Sequence, residues 1–152
     1  MVDEISWTFY GYITPAGSPD VQDWFDGLLV EERDEAKDVL GYLQRLHSHL
    51  WVKPDFERLD HDVSEVRFKV NVLHVQKIYR IYGAFWPEKR RHSYTFLIGK
   101  DKKVDNDRRG KKEAIERLKK LRNGQATIKK FEFEESASSQ TSARGDGPQS
   151  IC

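Results

Sequence analysis

Val63-Ser-Glu-Val-Arg-Phe-Lys-Val70, Val75-Gln-Lys-Ile-Tyr-Arg-Ile-Tyr-Gly-Ala-Phe-Trp86 and His92-Ser-Tyr-Thr-Phe-Leu-Ile98 decide the fold. In the first run Val66, Phe68 and Val70 fall on one face of an extended chain, and Glu65, Arg67 and Lys69 on the other. β-branched and aromatic residues fill all three runs, and the connections at residues 71–74 and 87–91 are short. Neither connection is an ideal two-residue turn, yet both are short enough for hairpins, so the three runs are expected to form an antiparallel meander.

Toward the N-terminus, Ile5 to Ile13 reads as a further strand, stopped by Pro15, Gly17 and Pro19. Asp20 to Leu29 places Val21, Trp24, Phe25, Leu28 and Leu29 at helical spacing. Glu31 to Leu50 continues as a longer helix with Ala36, Val39, Leu40, Leu43 and Leu46 on one stripe, antiparallel to the first. Glu31, Glu32, Asp34 and Glu35 suit its first turns, where the helix dipole favours carboxylates. Toward the C-terminus, Arg108 to Leu121 is a basic helix with an apolar stripe of Ala114, Ile115, Leu118 and Leu121. A stop at Asn123-Gly124 and a short strand within residues 126–133 follow. The expected organisation is one α+β domain over residues 1–135 and a disordered Ser/Gly-rich tail over 136–152, which has too few apolar residues to offset its ordering entropy.

With 152 residues, 38% of them hydrophobic and 12% aromatic, the chain can bury a core without cross-links. Its single cysteine, Cys152, excludes an internal disulfide framework and a zinc ribbon. The acidic N-terminus has no basic segment followed by an apolar one, and no apolar run is long enough for a bilayer, so the expectation is a cytoplasmic protein without membrane contact. His47 and His49, two apart on the expected helix, diverge rather than chelate; no metal and no cofactor are expected.

The net charge of +1 hides an asymmetry. Residues 1–64 carry 14 Asp/Glu against 5 Lys/Arg, and residues 65–130 carry 20 Lys/Arg against 7 Asp/Glu. Such a division fits a polyanion-binding face in the second half; the alternative is solvated basic surface.

Glu65-Val66-Arg67-Phe68-Lys69, Tyr79-Arg80-Ile81-Tyr82, Leu97-Ile98-Gly99-Lys100-Asp101-Lys102-Lys103 and Glu113-Ala114-Ile115-Glu116-Arg117, in this order and spacing, resemble strings of the RelE/ParE toxin superfamily. The resemblance is greatest to its HigB-like and phage Gp49-like branch, and covers roughly residues 5–122. Lys100 replaces the usual aromatic, Ile98 a frequent histidine, and Asn106-Asp107-Arg108-Arg109-Gly110 the Thr-Pro that commonly opens the last helix. The resemblance implies a RelE-like fold and the toxin of a type II toxin-antitoxin pair. Its partners would be a cognate DNA-binding antitoxin, encoded adjacently, and mRNA on the ribosome.

Nuclease members of this family cut mRNA without metal by attack of the ribose 2′-OH on the adjacent phosphate, which needs cationic stabilisation of the phosphate and proton transfer at both ends. Arg67 matches the family's phosphate-holding arginine; the alternative is a structural ion pair with Glu65 or another carboxylate. Lys102 and Lys103 match its basic pair, as general acid/base or clamp. Arg80 completes the catalytic set, or packs its stem on the sheet. A cluster of cations lowers a lysine's pKa toward a useful range by like-charge repulsion. Lys69, Lys100, Arg108, Arg109, Lys111 and Lys112 supply phosphate contacts, which position RNA without reading its bases. Tyr82 and Tyr94 offer stacking faces, with sheet packing as the alternative, and His92 a proton donor if it faces the cleft. Two alternatives to the nuclease remain: a ParE-like gyrase poison, or a catalytically degenerate module that binds antitoxin or RNA.

Overall fold

The alternating runs occupy the middle of a six-stranded mixed open sheet in an α+β fold. The computed structural model describes residues 5–102 and 108–133. In chain order the elements are β1 (Thr8–Ile13), α1 (Asp20–Asp26), α2 (Val30–Gln44), β2 (Phe56–Arg58), β3 (Ser64–Val72), β4 (Val75–Ala84), β5 (Ser93–Lys102), α3 (Arg108–Arg122) and β6 (Thr127–Lys130). The sheet order is β2-β3-β4-β5-β1-β6, and β1 and β5 pair in parallel while the other neighbours are antiparallel. Among the described residues no helix is long and apolar enough to cross a membrane. Lys103 and the expected tail, 136–152, lie outside the described residues.

Several boundaries differ from the sequence reading, β5 reaching Lys102 instead of stopping at Ile98 and α1 ending at Asp26 instead of Leu29, and two of the differences have a local reason. The longer helix ends at Gln44 instead of continuing to Leu50, and Trp7, just before β1, and Trp51 take the carbonyls at and beyond its end. The Trp7 N–H donates to the Gln44 carbonyl at 3.0 Å, and the Trp7 and Trp51 indoles both donate to the Leu46 carbonyl, at 2.8 and 3.1 Å. A 3-10 turn at Ser48–Leu50 follows, so His47 and His49 do not diverge as expected on a helix; their rings stack 5.6 Å apart. The β3–β4 connection is also shorter than expected. Val72 pairs with Val75, leaving Leu73 and His74 as a two-residue loop with φ of 51° and 68°.

The helices divide between the two faces of the sheet. On one face α1 and α2 meet Tyr79: its ring lies edge-on to Trp24, and its hydroxyl donates to the Glu32 carboxylate, which also accepts the Leu29 N–H at 2.7 Å. Trp7, Phe9, Trp51, Phe56, Tyr94, Phe96 and Phe131 form an aromatic core on this face, with ring centroids 4.8 Å apart for Trp7–Trp51 and 5.1 Å for Phe9–Phe96. On the other face α3 is anchored by Arg117. Its guanidinium sits 4.8 Å from the Tyr12 ring, donates to the Leu97 carbonyl and pairs with Asp20 at 2.9 Å. At the C-terminal end of α3 Gly124 has φ +75°, a conformation that suits glycine.

Close approach occurs at two glycines: a Cβ on Gly99 would run into the Trp24 ring, and Gly83 is as crowded by its neighbouring strand. The register shifts there, Tyr82 pairing with Ile98 but Gly83 with Phe96, and a Cβ on Gly83 would lie 2.5 Å from the buried Tyr94 ring and 2.6 Å from the Thr95 carbonyl oxygen. Gly41, within α2, has open space around its Cα. Gly83→Ala is therefore expected to lower unfolding free energy by about 1–3 kcal/mol through overpacking, whereas Gly41→Ala raises it by about 0.5–1 kcal/mol through helix propensity. Urea unfolding of the two variants checks the opposite signs.

Burial raises the hydroxyl pKa of Tyr79 and Tyr94 well above the ordinary 10.0, and at Tyr79 the Glu32 carboxylate adds to the shift. Because the unfolded chain releases these protons first, their contribution to stability is complete below pH of about 10 and falls as pH rises beyond it. Absorbance titration is expected to show that at least two tyrosines, Tyr79 and Tyr94, ionise only as the fold is lost. Ordinary titration of all six tyrosines in the native protein would contradict the packing.

Candidate functional site

The antiparallel register turns sequence alternation into rows of side chains. Glu57 pairs with Glu65, Glu65 with Tyr82, and Tyr82 with Ile98; in the next row Arg67 pairs with Arg80 and Arg80 with Lys100; beyond it Lys69 pairs with Ile78 and Ile78 with Lys102. Directly opposed residues in an antiparallel pair project from the same face. Arg67, Arg80 and Lys100 thus come from three strands to one line on the α3 side of the sheet, with Lys69 beside them.

Carboxylates hold this line together. Glu65, with only 3% of its side chain exposed, lies between both guanidinium groups: its two oxygens are 3.0 Å from Arg67 Nε and 3.3 Å from Arg80 Nη1. Arg80 is buried too, and donates to the Tyr82 hydroxyl at 3.0 Å. Arg67 is half-buried and is also paired with Glu57, a residue at the rim that Lys53 approaches to 3.5 Å. The cluster therefore runs from an enclosed Glu65–Arg80 pair to a solvent-facing Arg67–Glu57 pair. A cavity of about 340 Å³ opens beside it, lined by Arg67, Lys69, Ile78 and Phe68 and, on its acidic side, by Glu35 and Asp55.

The other sequence-derived candidates separate by their surroundings. Arg108, Arg109 and Lys112 are exposed on α3 and free to attract phosphate. Lys111 is held 2.8 Å from Asp60, and its ammonium keeps the Asp60 carboxyl below the usual 3.8. Tyr82 and Tyr94 are fully buried, which corrects the expectation of stacking faces: neither ring has a side open to a nucleobase. His92 precedes β5 at the end opposite Lys100 and Lys102, with its ring edge-on to Trp7 at 5.1 Å, so it does not face the arginine row. Lys102 takes its place in the strand register, and Lys103 lies outside the described residues.

Glu57 and Lys53 escaped the sequence reading because β2 has only three residues, too few for alternation to register. The signal was Asp55-Phe56-Glu57-Arg58, where Phe56 is buried and the flanking residues are polar. Among the described residues no group of three or more His, Cys, Asp or Glu side chains could hold a metal ion.

Chemically, the arrangement is a cationic surface with a neutralised floor. Lys69 is exposed and Lys100 partly so, while Arg67 offers a phosphate its guanidinium by exchanging Glu57 for the new anion. Removing Glu65 leaves two arginines facing each other without their shared anion, so Glu65→Ala is expected to cost about 3 kcal/mol or more. Glu57→Gln, at the solvated rim, is expected to cost under about 1 kcal/mol. Denaturant unfolding of both variants checks the ratio, and equal costs would contradict the gradient of burial. Comparison of the chain with protein-family models, with curated proteins and with solved structures finds no significant match.

Proposed function

We propose that this protein is a RelE/ParE-superfamily toxin of the HigB-like kind, a ribosome-dependent mRNA endonuclease of the cytoplasm held inactive by a cognate antitoxin. The observation that carries the reading is the cross-strand row Arg67–Arg80–Lys100, with exposed Lys69 beside it and the exposed cations of α3 on the same side of the sheet. The RelE-like reading of the fold draws on the order of elements, in which a strand and two helices precede the meander and a basic helix follows it.

In this mechanism the scissile phosphate displaces Glu57 and takes a two-pronged contact from Arg67. Glu65, 3.0 Å from Nε, helps hold that guanidinium in place, so little reorganisation accompanies the gain of negative charge at the phosphorus. Lys100 and the Lys102–Lys103 pair stabilise that charge and serve the proton transfers from the attacking 2′-OH and to the leaving 5′-oxygen. Arg80, enclosed with Glu65, acts as a positioning residue and does not touch the RNA.

A second reading is favoured by one observation: both guanidinium groups already have carboxylate partners. On that reading the protein binds RNA or ribosomes through Lys69, Lys100, Arg108, Arg109 and Lys112 and does not cleave. A cell-free translation reaction separates the two. The nuclease reading expects mRNA cut at the ribosomal A site, with cleavage reduced by about a hundredfold or more in Arg67→Ala and in Lys102→Ala/Lys103→Ala. Undiminished ribosome binding with intact mRNA would select the second reading. Intact mRNA with inhibited gyrase supercoiling would contradict both.

A further inference from the structure

The β3–β4 hairpin extends past the point at which β2 stops pairing with β3. Pairing to β2 ends at Val66, and the described pairing of β4 to β5 reaches Ile78–Lys102; Val70, opposite Lys77, is still buried, and beyond it Asn71–Gln76 and Val72–Val75 form, among the described residues, a two-stranded ribbon. At about 3.3 Å per residue the ribbon with its loop extends roughly 10 Å.

Its tip breaks the usual rules for a hairpin. A two-residue loop with positive φ at both positions favours Asn-Gly, and here it is Leu73-His74, with φ of 51° and 68°. Leu73 is not held there by packing, since it is 89% exposed, and Val75 next to it is 57% exposed. Neither backbone geometry nor the core accounts for a leucine at this position, and a strained backbone retained without structural gain points to contact with something else.

Charge identifies that partner. From Lys69 to Lys77 the chain contains no acidic residue. Lys69 is exposed on the face that carries Arg67, while Lys77, opposite Val70, is exposed on the other face. Cations on opposite faces at the base of a narrow ribbon match phosphates on the two walls of a groove, whereas a membrane surface presents its charge in a single plane. Proteins open a base step by inserting an apolar side chain such as leucine between the bases.

We infer that the hairpin is an RNA wedge: Leu73 enters a folded RNA beside an unstacked base while Lys69 and Lys77 hold phosphates on either side. This inference rests on the RNA-binding part of the proposed function and is independent of cleavage.

Leu73→Asn/His74→Gly tests it, because this replacement relieves the turn and removes the wedge together. The full chain is titrated into an RNA hairpin carrying one bulged 2-aminopurine and into a fully paired hairpin of equal length. The variant is expected to melt at a higher temperature than the wild type, yet to bind the bulged RNA about tenfold more weakly and to lose the fluorescence rise of the unstacked base. Its affinity for the paired RNA stays unchanged. Lys69→Ala and Lys77→Ala are each expected to lower the salt slope of binding by about one. Equal binding of the bulged RNA by wild type and variant overturns the wedge and leaves the basic face as the RNA site, so the proposed function survives. Absence of RNA binding by the wild type overturns the inference, as does loss of binding to phosphatidylserine vesicles with RNA binding unaltered.

Discussion

Two arginines placed opposite each other on adjacent strands repel, and the buried carboxylate of Glu65 makes the placement of Arg67 and Arg80 possible. The consequences spread outward. Because one carboxylate serves two guanidinium groups, Arg67 retains capacity for a second anion, which Glu57 fills at the rim. Arg80 is enclosed and Tyr82 accepts from it at the centre of β4, and the strand pairing sets Lys100 on β5 in line with Arg67 across three strands. The opposite face of the same strands carries Phe68 and Tyr79, stacked 5.1 Å apart and tied through Glu32 to α2. Charge on one face and aromatic packing on the other are thus two sides of one hairpin.

The alternation that defines this hairpin was legible in the residues themselves. It placed Arg67 and Lys69 on a polar face and Phe68 and Val70 in the core, and the apolar stripe Ala114-Leu118-Leu121 marked the side of α3 that is buried. Register was not legible. It depends on a two-residue loop, and Leu73-His74 carries none of the Asn or Gly that would announce one, so the pairing of Arg67 with Arg80 and of Arg80 with Lys100 emerges only in the fold. β2 was invisible for a different reason: three residues are too few for a period of two to show.

At the candidate site, residue type alone gave the charges without their neighbours. Arg67 and Arg80 are cations in the sequence and half of an ion-pair network in the structure. Tyr82 and Tyr94 are aromatic in the sequence and inaccessible in the structure, because the register that aligns the cations also turns Tyr82 toward Arg80 and packs Tyr94 against Gly83. The basic character of the second half, by contrast, carries over directly, since Lys69, Arg108, Arg109 and Lys112 remain exposed.

The central claim is that this face receives a phosphate through Arg67 in exchange for Glu57, with Arg80 kept inside. The guanidinium Nε–H resonances of the two arginines report it directly in a nitrogen-15 NMR titration with a short single-stranded RNA. The account predicts that the Arg67 resonance moves and saturates with added RNA while the Arg80 resonance stays in place. An Arg67 resonance that does not respond, at RNA concentrations that shift other basic residues, would contradict it.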